Sequence, residues 1–344
     1  MPEDRVNRRR FLRGAAAASA IGLAGCMGGD DDGMQLRVGT SAGGTQDVGL
    51  AVERAVSQES DELDYSTVES PGYIGTLYRL DSDQFNAGIT DNNSMSKAVE
   101  DRGDFAERGV DTIPYQGFSA FPYSIYIVAL EGTGIETFDD LAGANVYPAE
   151  PGYSTRATTL DVWSQDPTAD IYEEMNIMDM GVSDAPGAME EGRIDAAIAY
   201  GTPGVSYTGF VTEYDARVDV SYVEPTDALI ESAESYGGAG TSRTPYGDWG
   251  LEQDIGTDEV FTWDLEVNYV FHSDAGDDAV YELCRVVDEH NDTVNEAEDQ
   301  FNDFESTEDM LGQALEGDDF PFHPGAVEYY QDNDAWDDSL STPE

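Results

Sequence analysis

From residue 34 onward, short apolar runs alternate with stretches whose hydrophobic positions recur every three or four residues. Leu36-Arg37-Val38 predicts a strand. The loop Gly39-Thr40-Ser41-Ala42-Gly43-Gly44-Thr45 follows, then a helix from about Gln46 with Val48, Ala51, Val52, Ala55 and Val56 on one face. The unit repeats. Residues 63–69 predict a strand, 73–80 a helix with Ile74, Leu77 and Tyr78 on one face, and 85–90 a third strand. Asp91-Asn92-Asn93-Ser94 then supplies a capping cluster for a helix through Val99.

The same punctuation returns later. Residues 123–130 form a long β-rich run, and 137–141 open a new unit. There 144–149 lead through Glu150-Pro151-Gly152-Tyr153-Ser154-Thr155 into a helix ending near Trp163. Residues 186–191 predict a short helix, 194–200 a buried strand, and Gly201-Thr202-Pro203-Gly204 a loop. Residues 260–272 read as strand, with helices at 278–289, near 305–315 and around 325–330. Strands alternating with helices predict an α/β fold with parallel sheets and right-handed crossovers. The two longest strand-rich segments predict two passages between lobes, with lobe 1 at 34–131 plus 258–344 and lobe 2 at 132–257.

Composition narrows the function. The 344 residues hold 72 acidic against 16 basic side chains, a net charge of −56, and Lys97 is the only lysine. Such a polyanion repels nucleic acid. With 40% hydrophobic and 10% aromatic residues the chain folds. The acid is therefore a solvated surface, suited to molar salt, where the Debye length is about 3 Å.

Asn7-Arg8-Arg9-Arg10-Phe11-Leu12-Arg13 matches a twin-arginine export signal, and the apolar run 14–25 is shorter than the roughly 17–25 residues of a membrane span. Leu23-Ala24-Gly25-Cys26 resembles a lipobox. Residues 1–25 are thus expected to be cleaved, Cys26 to carry a lipid anchor on the outer face of the cell membrane, and 26–33 to serve as a tether. Cys284 has no free cysteine to pair with in the mature chain, Cys26 being lipidated, and reads as a buried small residue.

The glycine-rich loop at 39–45 admits three chemistries. A phosphate loop needs a lysine that this stretch lacks, and the dinucleotide pattern G-x-G-x-x-G does not fit. Gly39-Thr40-Ser41-Ala42-Gly43 does satisfy G-x-S-x-G, so Ser41 is a candidate hydrolase nucleophile, with His272, His290 or His323 as its base. Against that, Ser41 follows the first mature strand, too early for a nucleophile elbow. No metal-spaced ligand cluster occurs, and no cofactor is expected. Binding remains. Loops at the carboxyl ends of strands, most of them leading into helices, present free N–H groups to a small anionic or zwitterionic ligand.

Several segments resemble the TAXI-type solute-binding proteins of TRAP (tripartite ATP-independent periplasmic) transporters. They are the opening VGTSAGGTQDVG at 38–49, Asn86-Ala87-Gly88-Ile89-Thr90-Asp91, residues 135–143, Pro151-Gly152-Tyr153-Ser154-Thr155, 192–196, Gly201-Thr202-Pro203, and Phe320-Pro321-Phe322-His323-Pro324-Gly325-Ala326 with Tyr329-Tyr330. The resemblance implies a two-lobed type II periplasmic-binding-protein fold with a ligand cleft between the lobes, and no enzymatic activity. It implies delivery of a small organic acid or amino acid, glutamate- or 2-oxoglutarate-like, to a TRAP membrane permease. An ABC-type solute-binding protein is the alternative.

The implied ligand-binding residues are Thr40, Ser41, Gly43, Gly44, Thr45 and Gln46 in the first loop, and Tyr73, Thr76 and Asp91 in the following units. In the second lobe they are Tyr153, Ser154, Thr155, Arg156, Gly201, Thr202 and Pro203. Arg156 is the candidate partner of a ligand carboxylate. Gln46, Thr76 and Tyr153 depart from the family pattern, which marks the cleft as unusual. His323 is expected to fix the C-terminal turn.

Overall fold

The computed structural model describes residues 34–249 and 253–343; the predicted signal and Cys26 lie outside the described residues. Strand β1 (Met34–Ser41) leads into α1 (Gly44–Glu59), β2 (Leu63–Ser70), α2 (Gly72–Asp81), β3 (Ala87–Asp91) and α3 (Asn92–Val99). The predicted face of α1 is buried, Val48, Val52 and Ala55 completely. Each valine so removed from water contributes about 1.5–3 kcal/mol. β1 pairs in parallel with both β2 and β3, with the two helices as crossovers.

The chain then enters β4 (Tyr115–Leu130), which is longer than the predicted 123–130. It continues through β5 (Asn145–Tyr147), α4 (Ser154–Trp163), α5 (Ala169–Glu174), β6 (Asn176–Ile177), α6 (Ala185–Glu190) and β7 (Ala196–Thr202). Next come β8 (Ser206–Tyr207), α7 (Gly209–Asp215), β9 (Val220–Tyr222), α8 (Asp227–Ser235) and β10 (Gly240–Pro245). Finally β11 (Glu259–Phe271), α9 (Asp277–Glu289), α10 (Asn291–Asn295) and α11 (Pro324–Asp332) close the chain.

One sheet runs in the order β2-β1-β3-β11-β4-β7-β5-β6, with β8, β9 and β10 paired onto its members. It is mixed, which corrects the all-parallel expectation. β11 runs antiparallel to β3, β4 and β10, and β4 antiparallel to β7 and β9. The physical reason is that β4 and β11 carry the chain out of one half of the molecule and back again, so they must run in opposite senses.

The core divides along these two strands. Phe118, Ala120 and Phe121 of β4 pack with the β1–β3 units and α9, whereas Ile125 to Ala129 pack with β5, β7 and α4. In β11 the change falls between Leu265 and Val267. Register shifts between Val267 and Asn268 and between Tyr269 and Val270 bend β11 just past that point. The result is a two-lobed arrangement, with one large hydrophobic core on each side of this crossing.

A polar cluster also joins α3 to α4. Lys97 Nζ lies 2.6 Å from Asp161, and Asn93 donates to Thr158 (3.1 Å) and Asp161 (3.2 Å). Tyr236 donates to Asn93, and Arg102 donates to the Tyr236 hydroxyl at 2.7 Å.

Two local expectations are corrected and a third holds. The helix near 305–315 is a single 3-10 turn, Thr307–Leu311, ended by Gly312 at φ 52°, where a side chain would collide with Ser119 and Glu266. Gly201 and Thr202 complete strand β7 and pair with β8, so the predicted loop is the turn of a hairpin. Cys284 is fully buried on α9, as expected.

Candidate functional site

A cavity of about 480 Å³ lies where the two cores meet. Tyr73 and Tyr123 pack against both cores and form part of its wall. Ser41, Gly44 and Thr45 enter from the β1–α1 turn and Gly72 and Tyr73 from the start of α2. Tyr153, Ser154 and Thr155 enter from the start of α4. The β8–α7 junction adds Thr208 and Phe210, and the strands supply Tyr123, Tyr200 and Leu265.

Local sequence explains the loop geometry. Gly43 at φ 91° and Gly152 at φ 97° occupy backbone conformations that L side chains rarely adopt, so each glycine can turn the chain sharply from strand to helix. Neither α1 nor α4 is capped by a side chain. The first N–H groups of a helix have no intrahelical partner, so those of Gly44, Thr45, Ser154 and Thr155 are left for a ligand, together with the positive end of each helix dipole. The hydroxyls differ. Thr45 Oγ1 is 2.8 Å from the Tyr73 hydroxyl, tying α1 to α2. Thr155 Oγ1 is buried without a formed hydrogen bond, and the Tyr200 hydroxyl is near enough to interact with it.

No ionisable side chain other than tyrosine lines this cavity among the described residues. Burial raises the phenols of Tyr73, Tyr123 and Tyr200 above their usual value, with Tyr123 and Asp91 adding to the effect at Tyr73. All three are therefore neutral at physiological pH.

Other sequence candidates lie elsewhere. Thr40 is buried beneath the loop, and Gly43 caps α1 from outside the cavity lining. Gln46 sits on α1, where its N–H bonds to the Gly43 carbonyl at 2.8 Å. Thr76 is fully buried and bonds to Ser70 at 2.5 Å and to the Gly72 carbonyl at 3.2 Å. Asp91 caps α3, accepting from the Ser94 N–H at 2.8 Å and the Ser94 hydroxyl at 2.7 Å. Burial raises its carboxyl pKa, opposed by Ser94 and Lys97. Arg156 turns away and donates to the Ala149 and Met178 carbonyls (2.9 and 3.3 Å) and to Asp179 (2.5 Å). Gly201 lies in the strand pairing of β7, Thr202 donates to the Pro122 carbonyl, and Thr202 and Pro203 border a separate acidic hollow with Asp292 and Asp299.

The histidines also have places of their own. His272 approaches Asp83, and His290 approaches Glu59. His323 is wholly buried and accepts the Gly325 N–H on Nδ1, capping α11. None of the three lines the cavity with Ser41.

The sequence reading missed Tyr123, Tyr200, Thr208 and Phe210. Thr208 was legible as a cap-type residue before an apolar segment. The others sit in apolar runs that look like core.

The sequence profile of the NMT1-like family matches residues 38–333. No curated protein compared with the chain matches it. Among solved structures, it is similar to the periplasmic aliphatic sulphonate binding protein SsuA from Escherichia coli, at 14% identity and a TM-score of 0.41, over 77% of this chain and 74% of that one. It is also similar to the probable amino-acid ABC transporter extracellular-binding protein ytmK from Bacillus subtilis, at 10% identity and a TM-score of 0.43, over 77% and 96%. A putative L-cystine ABC transporter protein from Listeria monocytogenes gives 10% identity and a TM-score of 0.41, over 78% and 95%. At these scores the superpositions are loose.

Proposed function

The chain belongs to the NMT1-like family, and on that premise we propose that it is an extracytoplasmic solute receptor for a small organic acid or amino acid. It is exported by the twin-arginine route, anchored through lipidated Cys26, and hands its ligand to the membrane subunits of a TRAP-type permease. The observation that carries this reading is the cavity between the two cores, on which the uncapped starts of α1 and α4 converge. Backbone N–H groups there bind a carboxylate without any reacting group beside it. With the histidines turned elsewhere, Ser41 acts as part of the binding loop and not as a nucleophile.

The lobes close on the ligand by bending at β4 and β11, where the core changes hands. Tyr73 and Tyr123, which touch both cores, are the side chains most sensitive to that motion.

The test is thermal unfolding of residues 34–344 in molar KCl against amino acids, dicarboxylates and 2-oxoacids. A ligand at about 100 times its dissociation constant adds about 2.7 kcal/mol, read as a rise of about 2–4 °C in the midpoint. A rise confined to one chemical class establishes binding. Loss of that rise in a Thr155→Val variant places it in this cavity, whereas a rise unaffected there refutes the site. Co-purification of the full-length protein from membranes then separates a TRAP permease from an ABC importer.

A further inference from the structure

The same cavity carries a statement about ligand class that goes beyond a generic small acid, and it rests on the receptor reading above. One end is built for a single carboxylate. There the N–H groups at the start of α4 meet the Thr155 hydroxyl, buried to 4% exposure and without a formed hydrogen bond, and the start of α1 adds its own free N–H groups. No arginine, lysine or histidine lines it among the described residues, so a second carboxylate on the ligand would have no cation there to meet.

The rest of the wall is aromatic: Tyr73, Tyr123, Tyr153, Tyr200 and Phe210. Tyr123 and Tyr200 meet at 78° with centroids 5.7 Å apart, and Tyr200 and Phe210 at 55° and 5.5 Å. Rings at such angles make a rounded corner; a flat aromatic ligand needs two parallel faces. A primary ammonium in that corner would bring three N–H donors and find no carboxylate among the lining residues. The nearby buried carboxylate of Asp91 is taken up in capping Ser94. A fully alkylated ammonium has no donors to satisfy and is held by ring faces alone.

We propose that the ligand is a zwitterion joining one carboxylate to a fully alkylated ammonium, the carboxylate on the starts of α1 and α4 with Thr155, the onium group in the tyrosine corner.

The experiment is calorimetric titration of the protein, in molar KCl, with glycine, N,N-dimethylglycine, N,N,N-trimethylglycine and glutamate. Affinity is expected to rise with methylation, by about tenfold or more from glycine to N,N,N-trimethylglycine. Tyr153→Ala, at a residue 42% exposed and so not needed for folding, should weaken N,N,N-trimethylglycine several-fold. Tyr200→Phe should retain it, because the ring face does the holding. Thr155→Val should weaken every carboxylate in the series. Binding of glycine or glutamate as tight as that of the trimethyl compound overturns the ligand class but leaves the receptor standing, provided Thr155→Val abolishes it. A titration in which none of the four binds overturns the proposal, and the receptor reading then stands or falls on the wider acid panel.

Discussion

Glu266 shows how far burial alone can move a carboxyl group. It is 2% exposed on β11 and accepts from the Ser119 hydroxyl. Desolvation, with Asp264 adding and Ser119 opposing, lifts its pKa from 4.5 to about 7. The folded state therefore holds this proton up to about pH 7, while the unfolded chain releases it near 4.5. Stability from Glu266 is full below pH 4.5 and is lost as pH rises toward 7, by on the order of 3 kcal/mol. Glu266→Gln should flatten that fall, so urea unfolding at pH 5 and pH 8 should differ less than in the parent; an unchanged difference rejects the assignment. His323 runs the other way: burial lowers its pKa from 6.5, and its cap on α11 needs an unprotonated Nδ1, so its contribution is lost as pH falls through that range. Arg156 is a separate case. Charge and loop position marked it as the carboxylate's partner, but its hydrogen bonds go to two carbonyls and Asp179. Arg156→Ala should cost about 1–3 kcal/mol in stability and leave ligand affinity within about twofold, a split that chemical unfolding and titration resolve. Sequence alone could show the Gly43 and Gly152 turns because glycine spacing is a backbone signal. Tyr200 and Phe210 were invisible because an apolar run does not say which of its members faces a cavity.

The β1-α1-β2-α2-β3 unit was legible at close to its true boundaries, since each helix keeps its buried residues on one face and turn residues separate the elements. The short elements α5, α7, α8, β6, β8, β9 and β10 were not. Two to nine residues give too few turns of periodicity to stand out. Geometry at α4 supplies the sharpest test at this level. Gly152 must hold φ 97° for α4 to start toward the cavity. Gly152→Val should destabilise the fold by about 1–3 kcal/mol and weaken ligand binding as well, since α4 would start at a different angle. Thermal unfolding and titration of one variant check both, and a stable variant with full affinity refutes the role given to this turn.

Across the whole molecule, the single sheet could not be read from alternation, because β4 and β11 look like ordinary strands until one knows that each serves more than one core. Charge was readable at once. With 72 acids against 16 bases, self-repulsion opposes the compact state whenever it is unscreened. Raising KCl from 0.1 M to 1 M shortens the Debye length from about 10 Å to about 3 Å. The unfolding midpoint should rise over that interval, and a flat profile would argue against repulsion as the dominant surface force. The α3–α4 cluster has a different consequence. Its Lys97, the sole lysine, is about 10% exposed and paired with Asp161, so amine-directed reagents find almost no side chain to modify on this surface. Acylation of that one side-chain nitrogen thus becomes a clock for the junction: whatever separates α3 from α4 sets the rate at which Lys97 can be labelled.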